Sequence, residues 1–321
     1  MKISVVIPTY ERPALLINCL TALSNQQLPH SEFEVIIVAD GPDAATLASV
    51  TEWQHAISLN LTFIQAPRKG GPAAARNIGW RAAHAELIAF TDDDCLPQPG
   101  WLLALAGKYQ QEEYIAYTGK TIVPPALEWT DFANNTSHLE EAEFITANCA
   151  CTKKALLRRG GFDEHYKMAW REDSDLHFGL ISDGVRIIKN EDAVVIHPVR
   201  KAPWGISLRE QRKGIYDALL FKKYPSAYRK SIQQHPNWNY YLSVICWLIF
   251  LLAAQVNSVS GMSVSAAVII VCFVIFFKKR IKYTSRSKAH LSEMLITSLI
   301  IPFLSLFWRA CGCIKFHVFF L

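Results

Sequence analysis

Short apolar runs alternate with amphipathic stretches along the first hundred residues. The run ISVVIP is rich in β-branched residues, as expected of a strand buried on both faces, and FEVIIVAD, LTFIQAP and ELIAFT predict three further strands. Between them, segments such as PALLINCLTALSNQ place apolar residues at helical spacing. Strands that alternate with helices predict right-handed crossovers, and therefore an α/β fold with a mostly parallel sheet and flanking helices. Later in the chain, VRIIKNEDAVVIHP predicts two strands joined by a turn.

Beyond Asn239 the chain becomes almost uniformly apolar. Three runs approach the length that spans a bilayer, and their apolarity on all sides argues against buried core helices. We expect residues 1–230 to form a domain of catalytic size and residues 231–321 to form a membrane domain. The candidate membrane spans are residues 240–257, 262–277 and 291–308.

Charge and cysteine usage refine this picture. The 321 residues carry a formal net charge of +5, and basic residues concentrate at Lys278–Lys288, beside the apolar runs, which favours a membrane surface over nucleic acid as partner. The positive-inside rule makes this linker cytoplasmic, with Asn257–Gly261 outside and the N-terminal domain in the cytoplasm. The eight cysteines show no disulfide framework. We therefore expect a multi-pass protein of the plasma (inner) membrane whose main domain faces the cytoplasm.

Carboxylates follow two of the predicted strands. Asp40 follows the second strand, and Asp92, Asp93 and Asp94 follow the fourth. Ligands of open α/β sheets bind beyond the carboxyl ends of the strands, so these side chains should share one rim. Repulsion among three adjacent carboxylates is relieved by a divalent cation, whose ligand shell a substrate diphosphate can complete. For Asp40 alone, capping the helix that starts near Pro42 is a competing role.

Further candidates lie at predicted element ends. The segment RKGGPAAARN supplies glycines and a helix start that favours anions. The segment REDSDL places Glu172, Asp173 and Asp175 in one turn, where acidic residues also complement the helix dipole. His197 ends a predicted strand just before Pro198.

These segments together resemble a family 2 glycosyltransferase with the GT-A fold, a Rossmann-like architecture, and its D-x-D motif. The resemblance runs from Ile3 to about Pro225. It rests on six segments in the family's order: VVIPTYER, VIIVADG, GGPAAARNIG, IAFTDDDCLP, GGFDE with REDSDL, and VIHP. The rival assignment, a dinucleotide-binding domain, lacks a G-x-G-x-x-G after the first strand.

The resemblance implies a site for a nucleotide-sugar donor. Asp40 would accept a hydrogen bond from the base, uracil if the donor is a UDP-sugar, and Asp92 would contact ribose or sugar. Asp94 would be the principal ligand of Mg²⁺ or Mn²⁺, although a swap with Asp93 in the middle position stays open. His197 would be a third metal ligand, a phosphate contact or a structural group. The remaining donor-site residues are Pro8, Thr9, Glu11, Arg12, Gly71, Arg76 and Asn77.

The same resemblance implies the chemistry. Asp173 would act as the general base that deprotonates an acceptor hydroxyl, Glu172 would bind the acceptor or orient the base, and Asp175 is the alternative base. The expected activity is that of an inverting, metal-dependent glycosyltransferase (EC 2.4 class) acting on a lipid-linked or cell-envelope saccharide or a glycolipid. A processive synthase is a weaker hypothesis, because the Gln-x-x-Arg-Trp signature fails after Gln211. A metal-dependent nucleotidyltransferase of similar fold and an inactive membrane scaffold remain as alternatives.

Overall fold

The computed structural model describes residues 1–57 and 59–320, which form two compact units. The N-terminal unit comprises Met1–Pro124 and Ser137–Val199, and the C-terminal unit comprises Pro125–Thr136 and Arg200–Leu321. The sequence predicts a boundary near residue 230. The observed division differs because the helices after Arg200 pack on the last helix of the chain.

An eight-stranded sheet forms the centre of the N-terminal unit. The strands are β1 (Ile3–Thr9), β2 (Phe33–Ala39), β3 (Leu61–Gln65), β4 (Leu87–Phe90), β5 (Leu96–Pro97), β6 (Ile115–Ile122), β7 (Cys149–Thr152) and β8 (Arg186–Ile196). Their order in the sheet is β3-β2-β1-β4-β7-β6-β8-β5.

The sheet is parallel in its first half and mixed as a whole. Strands β3, β2, β1 and β4 run parallel, as the alternation of strands and helices predicts. Strand β7 is antiparallel to both β4 and β6, and β5 is antiparallel to β8. The strand-turn-strand prediction near residue 190 is wrong: one strand, β8, stays beside β6, and its register jumps from Asn190 to Val194. The extra residues of β8 form a bulge, after which β8 resumes its pairing with β6.

Helices connect and cover the strands. In the N-terminal half they are α1 (Pro13–Ser24), α2 (Ala44–Ala56), α3 (Pro72–Ala82), α4 (Trp101–Lys108), α5 (Asp131–Ser137), α6 (Lys153–Arg159) and α7 (Glu172–Ser182). Proline in the first turn starts α1 and α3, where a missing N–H costs nothing. Asp43 caps α2 by accepting a hydrogen bond from the Thr46 amide at 3.0 Å.

The two faces of the sheet carry separate hydrophobic clusters. On one face, Val5 and Ile7 of β1 pack with Leu20 of α1. On the other face, Val6 of β1 packs with Trp80 of α3. Every residue of β1 and β2 is buried, because helices cover both faces. Each fully buried aliphatic side chain stabilises the fold by about 1.5–3 kcal/mol, which fixes the strand ends where the predicted site lies.

The C-terminal unit is helical. Besides α5, which belongs to this unit up to Thr136, its helices are α8 (Ile206–Glu210), α9 (Ile215–Lys223), α10 (Pro225–Ser231), α11 (Trp238–Gln255), α12 (Val259–Ile281) and α13 (Lys288–Phe316), with a 3-10 turn at Gln211–Gly214 between α8 and α9. Helices α11, α12 and α13 are each long and apolar enough to cross a membrane.

Candidate active site

The carboxyl ends of β1, β2 and β4 meet at one edge of the sheet. Strand β1 pairs with β2 so that Thr9 lies opposite Ala39, and it pairs with β4 so that Val6 lies opposite Phe90. The residues that follow these strands therefore gather at this edge. They include Asp40 and the run Asp92–Asp94, as the sequence predicts.

A cluster of metal-ligating groups lies beyond β4. Asp92, Asp94, Cys95 and His197 each offer a ligand atom, and these atoms lie within 4.8 Å of one another. The imidazole Nε2 of His197 lies 3.9 Å from Asp94 Oδ1. The structure thus brings together Asp94 and His197, the two predicted metal ligands.

His197 is a buried member of this cluster. The residue is 9% exposed, and its Nδ1 has no hydrogen-bond partner within residues 1–57 and 59–320. A buried polar atom without a partner costs free energy that a bound group relieves. Carboxylate oxygens with an imidazole suit Mg²⁺ or Mn²⁺.

Asp93 faces different partners from Asp94. Thr9 Oγ1 donates a hydrogen bond to Asp93 Oδ2 at 2.8 Å, and Arg12 Nη1 lies 3.5 Å from Asp93 Oδ1. Burial raises the pKa of Asp93 to about 6, although the charge of Arg12 opposes the shift. The predicted donor-site residues Thr9, Arg12 and Asp93 therefore form one group beside the metal-ligating cluster.

Arg76 joins the two acidic motifs of the chain. Its Nη2 donates to Asp92 Oδ1 at 2.6 Å, and its Nη1 donates to Glu172 Oε1 at 3.2 Å. Burial alone would lower the pKa of Arg76, but the charges of Asp92 and Glu172 outweigh it and raise this pKa. The family resemblance implies a donor contact for Arg76. In the structure Arg76 lies on the buried side of α3. Its side chain is therefore only 2% exposed, and the guanidinium bonds carboxylates.

Glu172 and Asp173 begin α7 but have different surroundings. Glu172 is buried, and this burial raises its pKa to about 7 even though Arg76 opposes the shift. Asp92 is the firmer partner of Arg76 because its contact is shorter, so Arg76 keeps its charge whether or not Glu172 is ionised. Asp173 is half-buried, and within the described chain its carboxylate accepts hydrogen bonds from Ser174 of its own turn.

Asp175, the alternative base, lies in the interior. It is 1% exposed, Tyr166 donates a hydrogen bond to it at 3.3 Å, and Arg159 lies 3.8 Å away. These contacts suit a structural group that anchors α7. The left-handed backbone of Arg171 (φ 73°) immediately precedes the helix, and it is a conformation that non-glycine residues adopt mainly under local constraint.

Asp40 anchors the glycine-rich loop before α3. Its Oδ1 accepts hydrogen bonds from the amides of Gly70 at 2.6 Å and Gly71 at 2.9 Å. The competing role, a cap for the next helix, belongs to Asp43, which also accepts from the Glu11 amide at 2.8 Å. Glu11 itself is exposed and has a left-handed backbone, with φ at 52°.

Asn77 and Pro8 occupy buried positions. The Asn77 amide donates to Phe162 O and Glu164 Oε1, each at 2.9 Å, and accepts from the Phe162 amide. With Trp80 also donating to it, Asn77 fixes the 161–164 loop on α3 and leaves no group for a phosphate. Its predicted donor contact is thus replaced by a structural role. Pro8 lies buried within β1.

Sequence reasoning missed Cys95. Its Sγ lies 4.0 Å from Asp94 Oδ1 inside the metal-ligating cluster. Burial, and then the charges of Asp92 and Asp94, raise the pKa of this thiol, so it stays protonated at neutral pH. Its position directly after the three aspartates was the available signal.

Comparisons with known proteins agree with this geometry. The family model described as Glycosyl transferase family 2 matches residues 4–166, just over half of the chain. The chain belongs to this family.

Relatives are similar over much of this chain. The chondroitin synthase of Escherichia coli is 28% identical over 271 residues, which covers 71% of this chain and 39% of the relative. The glycosyltransferase AglE of Haloferax volcanii is 26% identical, covering 65% of this chain and 70% of the relative. The chain thus spans well under half the length of the chondroitin synthase, and the hyaluronan synthase of Pasteurella multocida is covered over only 28%.

Solved structures share the fold. The mannosyltransferase PcManGT of Pyrobaculum calidifontis, in complex with GDP-Man and Mn²⁺, superposes with a TM-score of 0.58 at 19% identity, covering 94% of this chain and 87% of that one. Residues 1–349 of TarS from S. aureus, in complex with UDP-GlcNAc, give a TM-score of 0.54 at 17% identity, covering 97% and 92%. At this identity the likeness establishes the fold alone.

Proposed function

We propose that this chain is an inverting glycosyltransferase. It transfers a sugar from a nucleotide-sugar donor, a UDP-sugar in the first instance, to a hydroxyl of a lipid-linked or cell-envelope saccharide. The observation that carries the proposal is the double contact of Arg76 with Asp92 and Glu172. It joins the acidic run after β4 to the acidic start of α7, so a donor-side group and a candidate base belong to one site.

The donor side is formed by the sheet edge. Asp40, held by the amides of Gly70 and Gly71, keeps a carboxylate at the end of β2 where a base N–H can donate to it. Asp94 and His197 would hold Mg²⁺ or Mn²⁺, which stabilises the negative charge that develops on the departing diphosphate. Solved relatives of this fold carry GDP-Man with Mn²⁺ and UDP-GlcNAc, which supports a nucleotide sugar as donor.

The acceptor side is formed by α7. Asp173 removes the proton of the acceptor hydroxyl as the new bond forms at the anomeric carbon. Its half-exposed position, with hydrogen bonds only to its own turn in the described structure, leaves it available for this role. Glu172 is the first residue of α7, and its hydrogen bond from Arg76 positions the start of this helix. A single base without a separate nucleophile supports inversion.

The apolar helices anchor the enzyme in the plasma membrane. The basic segment Lys278–Lys288 supports a cytoplasmic side for the end of α12, and hence for the N-terminal unit. Labelling with a membrane-impermeant maleimide tests this orientation. A cysteine at exposed Ser260 should react in intact cells, and one at exposed Arg286 only after permeabilisation; the reverse result would contradict it.

A donor screen tests the activity. Purified full-length protein is incubated with Mg²⁺ or Mn²⁺ and a panel of nucleotide sugars, and thermal stabilisation and donor hydrolysis are recorded. One donor should stabilise the protein in a metal-dependent way and release a nucleoside diphosphate. Release of pyrophosphate would instead identify a nucleotidyltransferase, and absence of any nucleotide binding would identify an inactive scaffold.

Two variants separate donor binding from catalysis. Asp173→Asn should bind the donor as the wild type does but turn over about 10²–10⁴-fold more slowly, because general-base catalysis is lost. Asp175→Asn serves as the comparison: it should lower thermal stability, because a buried hydrogen-bonded carboxylate is altered. Normal turnover by Asp173→Asn would refute the assignment of the base.

A further inference from the structure

In the C-terminal unit, α13 packs against α8 and α9, two helices that carry several charged residues. Helices α8, α9 and the 3-10 turn between them follow α13 in the same direction. Near its start, Glu293 accepts a hydrogen bond from the Gly205 amide at 2.7 Å. Near its end, Lys222 Nζ donates to Phe316 O at 2.8 Å. Between these points, Gly312 approaches Ile215 so closely that an added Cβ would lie 2.6 Å from its carbonyl oxygen.

The end of α12 contacts α13 about one third of the way along that helix. Arg280, in the last turn of α12, donates to Thr297 Oγ1 at 2.6 Å and to Ser298 Oγ at 3.0 Å. It also donates to Ser207 of α8 at 3.0 Å. From this level, α8 and α9 and the remaining turns of α13 extend together.

This pairing is incompatible with a spanning α13. If α13 crossed the bilayer, the charged residues of its neighbours would enter the hydrocarbon with it, and Lys222 and Lys223 would reach the far surface. A charged side chain near the bilayer centre carries a large penalty of insertion, and this pairing would place several there at once. The charged residues concerned are Arg209, Glu210, Arg212, Lys213, Asp217, Lys222 and Lys223.

The exposed residues of α13 occupy one face. At 100° per residue, the exposed large apolar side chains fall within an arc of about 140°. They are Leu295, Ile296, Leu299, Ile300, Phe303, Phe307 and Ile314. The opposite arc is buried and includes Thr297, Arg309 and Gly312. A one-sided apolar face is compatible with a helix that lies in the membrane surface, and the charged neighbours of α13 distinguish this placement from a spanning one.

Helices α11 and α12 form a hairpin whose ring and cavity contacts with α13 lie between the start of α11 and its midpoint. Asn239, Ser243 and Trp247 of α11 line a small cavity together with Ser298 and Pro302 of α13. Trp247 also contacts Phe303.

The other end of the hairpin is uncovered in the structure. Its turns expose Leu252, Val256, Val259 and Val264 by 62–74%. A third helix that spans beside the hairpin would cover part of these turns. The contacts instead suit a helix that crosses the base of the hairpin.

We propose that α13 lies in the plane of the membrane surface on the side where α11 begins. Its apolar face enters the acyl chains, α8 and α9 cover its opposite face, and only α11 and α12 cross the bilayer. The partner of this surface is the lipid bilayer, because the face continues the apolar surface of the hairpin and basic side chains flank it. The proposal concerns the C-terminal unit and does not depend on the proposed catalytic activity.

Sidedness tests the proposal directly. In full-length protein in cells, Ser260→Cys marks the hairpin turn and Phe319→Cys marks the chain end, where Phe319 is 83% exposed. A membrane-impermeant maleimide should label the two positions from opposite sides, with wild-type protein giving the background of native cysteines. Labelling from the same side would overturn the proposal, because a spanning α13 carries Phe319 to the side of Ser260. If Phe319→Cys does not accumulate, protease access to an epitope tag after residue 321 reports the same sidedness.

Depth along the helix provides a second test. Leu295→Cys and Phe307→Cys lie on the apolar face and are separated by 12 residues, about 18 Å along a helix. With an environment-sensitive fluorophore in phosphatidylcholine–phosphatidylglycerol vesicles, lipid-attached quenchers at two depths should report the same shallow depth for both. Depths that differ by more than about 10 Å would overturn the proposal. Leu242→Cys and Leu251→Cys on α11 form the matched control, for which different depths are expected.

Discussion

Asp93 and Asp94 are neighbours in the chain but have different partners, and this distinction is testable. Asp93 bonds Thr9 and Arg12, whereas Asp94 lies with His197 in the metal-ligating cluster. We expect Asp94→Asn to weaken Mn²⁺ binding at least about tenfold, as the loss of a carboxylate ligand does. Asp93→Asn should keep the affinity within a few-fold. Mn²⁺ titration followed by electron paramagnetic resonance measures both, and equal losses in the two variants would contradict the assignment.

Glu172 predicts a pH dependence of stability. Burial raises its pKa to about 7 in the folded protein, whereas an unfolded glutamate titrates near its ordinary value of about 4.3. A carboxyl with a raised folded pKa is neutral at pH 5 and must ionise in its buried position by pH 8, so its contribution to stability falls across this interval. The wild type should therefore lose thermal stability relative to Glu172→Gln between pH 5 and pH 8.

Melting temperatures of both proteins, measured without metal or nucleotide, check this expectation. Glu191→Gln is a suitable control, because Glu191 is an exposed carboxylate paired with Lys189. A gap between wild type and Glu172→Gln that is constant with pH would show that Glu172 is already ionised at pH 5.

At the residue scale, sequence reasoning found groups that lie at strand ends and misjudged groups whose partners lie far along the chain. Asp40 and Asp94 follow buried parallel strands, so both lie at the sheet edge where the carboxyl ends of these strands meet. Arg76 and Asn77 are expected in the donor site, but Glu172 and the 161–164 loop, about 90 positions later, supply partners for them. Spacing within one segment carries no information about such contacts.

Among the elements, the loop before α3 shows why a glycine stands at a helix start. Gly71 has φ at +93°, and an added Cβ would lie 2.8 Å from the backbone of Lys167. Gly71→Ala should therefore cost about 1–3 kcal/mol from the backbone conformation alone, and the displaced amide should also weaken its bond to Asp40. We expect lower thermal stability together with weaker donor binding.

Gly107→Ala is the matched control for Gly71→Ala. Gly107 lies in α4 with no atom within 4 Å of an added Cβ. Alanine there should leave donor binding unchanged and stabilise the helix by about 0.5–1 kcal/mol. If the two variants had the same thermal stability and donor affinity, the positive φ of Gly71 would not be the reason that glycine is needed there.

The elements up to β4 were predictable because β1, β2 and β4 are fully buried and a helix connects each strand to the next. The later sheet was not. Strand β7 enters between β4 and β6, an order that no local pattern encodes. The polar residues near Asn190 resemble a turn, yet they form a bulge because β8 resumes its pairing with β6.

Across the whole molecule, apolar composition predicted three long helices near the correct positions, since each run is apolar over nearly spanning length; α13 continues through Pro302. The contribution of Pro125–Thr136 to the C-terminal unit was not predictable. The segment is short and polar, and it belongs there through particular side chains, chief among them Asp131. Apolar composition predicts a long apolar helix such as α12. Only specific contacts, such as that of Arg280 with Asp131, show which segment packs at the end of this helix.

The ion pair of Arg280 and Asp131 gives a final prediction about how the C-terminal unit is assembled. The two side chains are 6% and 14% exposed, with Arg280 Nη2 2.8 Å from Asp131 Oδ2. Removing one partner of a buried pair leaves an uncompensated charge and costs about 3–5 kcal/mol. Arg280→Met should therefore lower the melting temperature in detergent, whereas Lys279→Met, at an exposed neighbouring position, should have little effect. Adding Asp131→Asn to Arg280→Met should recover part of the loss, because the stranded carboxylate is removed; additive losses in this double-mutant cycle would mean that the pair does not hold the segment.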